Sequence, residues 1–122
     1  SIDLAPTILA AVGLEPTDAM RGINLLDEEA VADRRDIFGA CYEHTTIDLH
    51  NPAANLRERW MIEGPWKLIV PTDRSDREGV ELYQLDADPG EETNLAPLHP
   101  ARVEAMRRAL DQWWSPGRDD PE

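Results

Sequence analysis

"LRERWMIEGPWKLIVP", residues 56–71, is the stretch on which the fold turns. Its first half alternates: Leu56, Trp60 and Ile62 are set against Arg57, Arg59 and Glu63, and Glu58 interrupts the pattern. A period of two marks a half-buried strand. Gly64 and Pro65 follow as a two-residue turn signal, and an apolar run resumes at Trp66. Two strands joined by two turn residues predict an antiparallel hairpin over 56–63 and 66–71. The alternation places Leu56, Trp60 and Ile62 inward, with Arg57 and Arg59 solvated or paired across a seam.

Working outward, "DIFGACYE" (36–43) reads as a buried strand and "VELYQLD" (80–86) as a fourth, reached through the polar loop "TDRSDREG" (72–79). In that fourth strand Val80, Leu82, Tyr83 and Leu85 are available for packing. Residues 99–114 are helical, with Pro100 suited to the first helical position. Val103, Met106, Leu110 and Trp113 form one apolar stripe, and Glu104 with Arg108 adds an i,i+4 pair worth ~0.3 kcal/mol. A four-stranded antiparallel sheet with an amphipathic C-terminal helix on one face is an α+β arrangement. At the other end, 3–12 predicts a short helix. Asp3 serves there as N-cap and Pro6 falls in the first turn, while Leu4, Ile8, Leu9 and Val12 share one face and Gly13 is the stop. Residues 14–35 form a connector with a short helix near 25–32. The chain opens on "SIDLAPTILAAVG" without an initiator Met, which reads as a cut end. Three segments follow: 1–35 as the tail of an upstream domain, 36–115 as a subdomain, and 116–122 as a frayed tail.

The chain has 122 residues, 41% of them hydrophobic and 30% charged, with a formal charge of −13. That charge argues against nucleic acid as a partner, because phosphates are repelled. No apolar run approaches the ~20 residues of a membrane span. One cysteine, Cys41, excludes an internal disulfide framework. A zinc set of Cys41, His44, His50 and His99 lacks the two close ligand pairs of a structural site.

The acidic run "ELYQLDADPGEETNLA" (81–96) invites a calcium reading. A calcium loop starting at Asp86 would put Gly90 at position 5 and Pro97 at position 12, so the register fails. Turn chemistry explains more. Asp86 or Asp88 bonds nearby backbone, Pro89 presets φ, Gly90 permits positive φ, and Thr93 or Asn94 caps a short turn. Glu91 and Glu92 are then solvated charge.

The same run carries a resemblance. "WKLIVP" followed by "ELYQLDADPGEETNLA" resembles the C-terminal signature of the sulfatases of the alkaline-phosphatase superfamily. The matches fall at Glu81, Leu82, Tyr83, Leu85, Asp88, Pro89, Glu91, Glu92, Asn94, Leu95 and Ala96. "SIDLAPTILAAVG" and "RGINLL" (21–26) resemble two earlier family segments, and 34–44 and 55–69 fit the linking strands, all in family order. The resemblance implies a C-terminal fragment of a sulfuric ester hydrolase. Its formylglycine and its calcium, held by Asp and Asn side chains, would lie in a missing N-terminal catalytic domain. There the hydrated formylglycine would supply the oxygen nucleophile for sulfur, while the metal and basic residues would hold the sulfate oxygens. None of this machinery is expected here: Cys41 precedes "YEHT" rather than the Pro-x-Arg the modification requires, and reads as a buried structural thiol.

The fragment is expected to hold no catalytic or metal residues and to be inactive alone. Its partners would be its own N-terminal domain and, in the whole enzyme, a sulfated small molecule or carbohydrate. It would buttress that domain and shape the substrate cleft, and many members of the family are exported. The long loop "EHTTIDLHNPAAN" (43–55) offers His44 and His50, and the next strand offers Arg59, as candidates for substrate contact. The rival reading is a free-standing acidic interaction module. Of the four tryptophans, Trp60, Trp66 and Trp113 read as core and Trp114 as half exposed, available to a partner. The N-terminus discriminates the two: a piece severed from a larger enzyme should expose an apolar patch where its neighbour was and should anchor residues 1–30 poorly, and a free-standing module should show neither. A complete small hydrolase fails, since no nucleophile–base set can be assembled.

Overall fold

A computed structural model describes residues 2–116, and all of the expected frayed tail except Pro116 lies outside the described residues. The chain divides into two compact units, 1–35 and 36–122. The smaller unit contains α1 (Leu4–Ala11) and α2 (Glu28–Asp33). Asp27 caps α2, accepting from the N–H groups of Glu29 and Ala30 at 3.1 Å each. Asp3 stands at the N-cap position of α1 but makes no cap bond with its side chain. Its carboxylate instead takes the Ile23 N–H at 2.9 Å and a two-pronged pairing from Arg34 at 2.7 and 2.8 Å. The charge-assisted pairing with Arg34 turns the carboxylate away from the N–H groups of the first turn of α1. It ties the two ends of the unit together and holds the Arg34 guanidinium above its ordinary pKa. Gly13, at φ 76°, ends α1 as its sequence position predicts.

The larger unit is a four-stranded antiparallel sheet of order β1-β2-β3-β4. Its strands are Asp36–Tyr42, Leu56–Glu63, Trp66–Pro71 and Glu81–Gln84, and α3 spans Pro100–Trp113. The hairpin forms where the sequence puts it, with Glu63 opposite Trp66. Gly64 has φ 55° and Pro65 a locked negative φ, the type II′ arrangement that suits the twist of the flanking strands. Met61 opposes Phe38 on one side and Leu68 on the other, and Leu68 opposes Leu82. Met61, Leu68, Leu82 and Val70 form one buried cluster with Met106 and Leu110 of α3, and Phe38 packs against it. Each fully buried Leu or Met contributes roughly 2 kcal/mol before conformational entropy is subtracted.

Leu56 is buried as expected, but from Arg59 onward the inward face of β2 is the reverse of the expected one. Met61 is in the core and Arg59 is only 7% exposed, while Trp60 and Ile62 are half-buried on the opposite face. Three consecutive apolar residues, 60 to 62, populate both parities, so alternation alone could not choose between faces. Arg59 reaches α3, donating to the Asp111 carboxylate at 2.8 Å and to the Trp114 carbonyl. Trp113 is 44% exposed although it stacks on Phe38 at 5.4 Å, and Trp114 is the half-buried one. Cys41 is exposed rather than buried, because it lies beside the irregularity at Cys41/Tyr42 where β1 loses its register.

The connector after β4 is turn chemistry, with two corrections. Asp88 accepts from the Glu92 and Thr93 N–H groups at 3.0 and 2.8 Å, and Asn94 accepts from Leu82 and Ala96. The positive φ falls at Glu91 (55°), not at Gly90, and Glu91 is not free charge but binds Lys67 Nζ at 2.6 and 2.9 Å. That ion pair holds a non-glycine residue in a conformation it otherwise avoids.

Two outcomes follow from this packing. A Cβ at Gly39 would lie 2.3 Å from the ring of Trp60, its cross-strand partner, so Gly39→Ala should cost about 1–3 kcal/mol in urea unfolding. The backbone N–H bonds of Glu92 and Thr93 hold Asp88 below its ordinary value of 3.8. A lowered folded pKa contributes stability above the unfolded value, and that contribution is lost as pH falls through the folded value. The midpoint gap between the wild type and Asp88→Asn should therefore be full above about pH 4 and close on acidification.

Candidate functional site

The 43–55 loop is built around Asn55, which is buried. Its Oδ1 accepts from the N–H groups of Ile47 and Asp48, at 2.5 and 3.2 Å. Its Nδ2 donates to the carbonyls of Asp48 and Asn51, at 2.6 and 3.2 Å. The Glu43 N–H closes the base of the loop on the Asn55 carbonyl at 2.7 Å. One amide thus satisfies four backbone groups that a loop without regular ladders would otherwise leave to water. Sequence reading passed over Asn55. The available signal was an Asn directly before a strand, at the end of a loop too long to be an ordinary hairpin.

At the foot of the loop lies a shallow cleft of about 530 Å³, lined by Cys41, Glu43, His44, Arg57, Asp76 and Arg77 among others. Arg57 sits 3.7 Å from Glu43 and pairs with Asp76, whose hydrogen bond raises the guanidinium pKa. Arg77 donates to Glu58 at 3.0 Å and pairs with Glu81. Burial lowers the Arg77 pKa, but Glu81 and Glu58 together outweigh it and the value is raised. The Tyr83 hydroxyl donates to Glu81 at 2.8 Å, and burial followed by that bond pushes its pKa up. The lining carries Glu43, Glu58 and Asp76 against Arg57 and Arg77. Such a cleft presents forked donors and acceptors that are already neutralised, suited to hydroxyls and amides rather than to gripping an anion.

Of the sequence candidates, the structure places His44 in this cleft, exposed. His50 stands exposed on the loop, where its N–H bonds Asp48 at 2.8 Å. Arg59 is brought to neither, because its guanidinium is committed to α3. A second open hollow of about 630 Å³ at the start of α3 is lined by Glu63, Leu98, His99, Arg102 and Ala105, among others. There Arg102 lies 4.7 Å over the Trp66 ring and His99 meets the same ring edge-on at 5.2 Å, so both side chains serve packing. Among the described residues no three His, Cys, Asp or Glu gather as a metal site. With Tyr42 and Glu43 following Cys41, the residues present do not fit a formylglycine or its calcium.

No family model matches the chain. It is 25% identical over 112 residues to Arylsulfatase K of Xenopus laevis, covering 89% of this chain and 21% of that protein. It is also 30% identical over 94 residues to Catalase isozyme 2 of Ricinus communis, covering 75% of this chain and 17% of that one. The two names disagree. One neighbour, solved with its substrate D-glucosamine-2-N,6-O-disulfate, superposes at a TM-score of 0.67 with 18% identity. It covers 97% of this chain and 25% of the neighbour. The Bacteroides fragilis protein named sulfatase yidJ superposes at 0.63 with 21% identity, covering 91% and 23%. At those identities the structural likeness shows the fold alone. The chain is thus similar to sulfatases over most of its own length, and spans only about a fifth to a quarter of theirs. No helix among the described residues is long and apolar enough to cross a membrane.

Replacing Asn55 by Ala should leave the four loop groups unpaired, lowering stability by about 1–3 kcal/mol. Limited proteolysis should cut first within 45–51. An unchanged cleavage pattern would show that the loop is held by other contacts.

Proposed function

We propose that this chain is the C-terminal subdomain of a sulfatase, a sulfuric ester hydrolase. It buttresses the N-terminal catalytic domain and shapes one wall of the substrate cleft. The observation that carries this reading is the ordered set of sulfatase-like segments, from "SIDLAPTILAAVG" to "ELYQLDADPGEETNLA", within a chain that aligns with Arylsulfatase K over 89% of its length. The cleft beside the Asn55-held loop supports a secondary role in binding. Its arginines are neutralised by their own carboxylates, so the sulfate group is held elsewhere, by the catalytic domain. His44 and the cleft then meet the uncharged part of the substrate. A neighbour of this fold acts on a disulfated glucosamine, which favours a sulfated sugar as the substrate class. Formylglycine and calcium belong to the catalytic domain in this reading, and the 122-residue chain is inactive by itself.

The test begins with the coding sequence upstream of Ser1, where a Cys-x-Pro-x-Arg or Ser-x-Pro-x-Arg stretch and the metal carboxylates are expected. The complete polypeptide should release sulfate from sulfated monosaccharides, and the 122-residue chain should not. Within it, His44→Ala should lower kcat/KM for a sulfated sugar by about tenfold, the loss of one hydrogen bond to substrate. A reading frame that starts near Ser1, or a complete product without sulfate release, would sink the proposal. Unchanged kinetics in the His44 variant would confine that residue to packing.

A further inference from the structure

Of the chain's four tryptophans, two tyrosines and one phenylalanine, two side chains are exposed: Tyr42 and Trp113, each at 44%. They belong to one file of rings. Phe38 stacks on Trp113 at 5.4 Å, Trp113 meets Trp114 edge-on at 6.3 Å, and Trp114 meets Tyr42 at 6.4 Å. One end of the file is anchored, since Phe38 packs against the core cluster. The middle is fixed through its backbone: the Trp114 N–H donates to the Leu110 carbonyl at 3.1 Å, and the Trp114 carbonyl accepts from Arg59. The other end opens on the cleft below the 43–55 loop, which Tyr42 lines together with His44 and Arg57. Rings held this firmly lose little side-chain freedom when a ligand is laid on them.

We propose that Tyr42, Trp114 and Trp113 form a second sugar subsite, which seats an uncharged pyranose next to the sulfated one, so that the complete enzyme takes a sulfated oligosaccharide in preference to a single sulfated sugar. The inference rests on the sulfatase reading above and narrows its substrate class. Chemistry selects the occupant. One face of a pyranose presents C–H groups, whose partial positive charge complements the negative face of an aromatic ring. The hydroxyls around the same sugar need donors and acceptors, and the adjoining cleft presents them in Arg57 with Glu43 and Asp76. Both guanidiniums of β2 are committed to carboxylates, Arg59 to Asp111 and Arg57 to Asp76, so that strand offers a second sulfate no free cation. Position follows from continuity: Tyr42 stands in the same lining as His44, so a sugar on the file adjoins one held at His44. A protein is the poorer occupant. At 44% exposure the two open rings offer roughly 200 Å², about a quarter of the ~800 Å² that each side of a standard protein interface covers.

Titration calorimetry and kinetics on the complete polypeptide test this. The binding probes are N-acetylglucosamine and its unsulfated tetrasaccharide. The turnover probes are N-acetylglucosamine sulfated at its primary hydroxyl, alone and at the non-reducing end of that tetrasaccharide. The tetrasaccharide should bind about tenfold more tightly than the monosaccharide, the upper range for one aromatic contact. The ratio of kcat/KM should favour the longer substrate by a similar factor, through KM. Trp113→Leu keeps an apolar side chain against Phe38 but removes the flat face, and should erase the tetrasaccharide's advantage in both readouts. Trp113→Phe should retain most of it. Equal affinity for the two unsulfated sugars in the wild type overturns the subsite, as does an advantage that Trp113→Leu leaves intact. An association with another protein that Trp113→Leu abolishes, with no dependence on sugar chain length, assigns the file to a protein contact and overturns the proposal. Sulfate release without chain-length dependence counts against the subsite alone. Tetrasaccharide binding that needs Trp113, without sulfate release, leaves the subsite standing and removes the sulfatase reading.

Discussion

The seam between the sheet and α3, where Met61, Leu68 and Leu82 meet Met106 and Leu110, sets the geometry of the larger unit. It decides which face of every strand points inward, because a strand's side chains alternate and a slip of one residue would invert them all. Arg59 locks that choice. A guanidinium taken out of water is costly unless its donors are met, and here the Asp111 carboxylate and the Trp114 carbonyl meet them from the far end of α3. The helix cannot shift along the sheet without stranding that charge. The seam therefore has apolar contacts for its strength and one polar brace for its position.

The brace also separates structure from function among the basic residues of β2. Arg57 and Arg59 are two apart and project to the same side of a regular strand, but near its irregular start they meet different surroundings. Arg57 lies at the loop cleft with Glu43 and Asp76, and Arg59 lies under α3. Only the first is placed where another molecule could reach it. The cleft has the character of a pre-paired surface, in which every guanidinium already faces carboxylates. Such a surface orients a neutral, hydrogen-bonding group without the desolvation cost of binding an anion.

Legibility from sequence followed the range of the interactions. The hairpin, the fourth strand, the Pro100 helix start and the turn at Asp88 were readable, since each rests on residues within a few positions of one another. Asp3, Glu91 and Asn55 were misread or missed for one reason. Their side chains are engaged by Arg34, Lys67 and the 47–51 backbone, partners that no local pattern announces. Cys41 was misplaced because the irregularity that exposes it belongs to the pairing of two strands.

By itself the sequence determined an acidic α+β chain with four strands in hairpin order and sulfatase-like segments in sequence, because periodicity, turn residues and motif order are local or linear properties. Tertiary structure alone decided that Met61 rather than Trp60 faces the helix and that Arg59 is a brace. It also decided that His44 shares a cleft with Arg57 and that Leu4, Ile8 and Val12 at α1 are left exposed. Those outcomes depend on which of two equally apolar strand faces finds a partner, and on charges meeting across as many as 52 residues of chain.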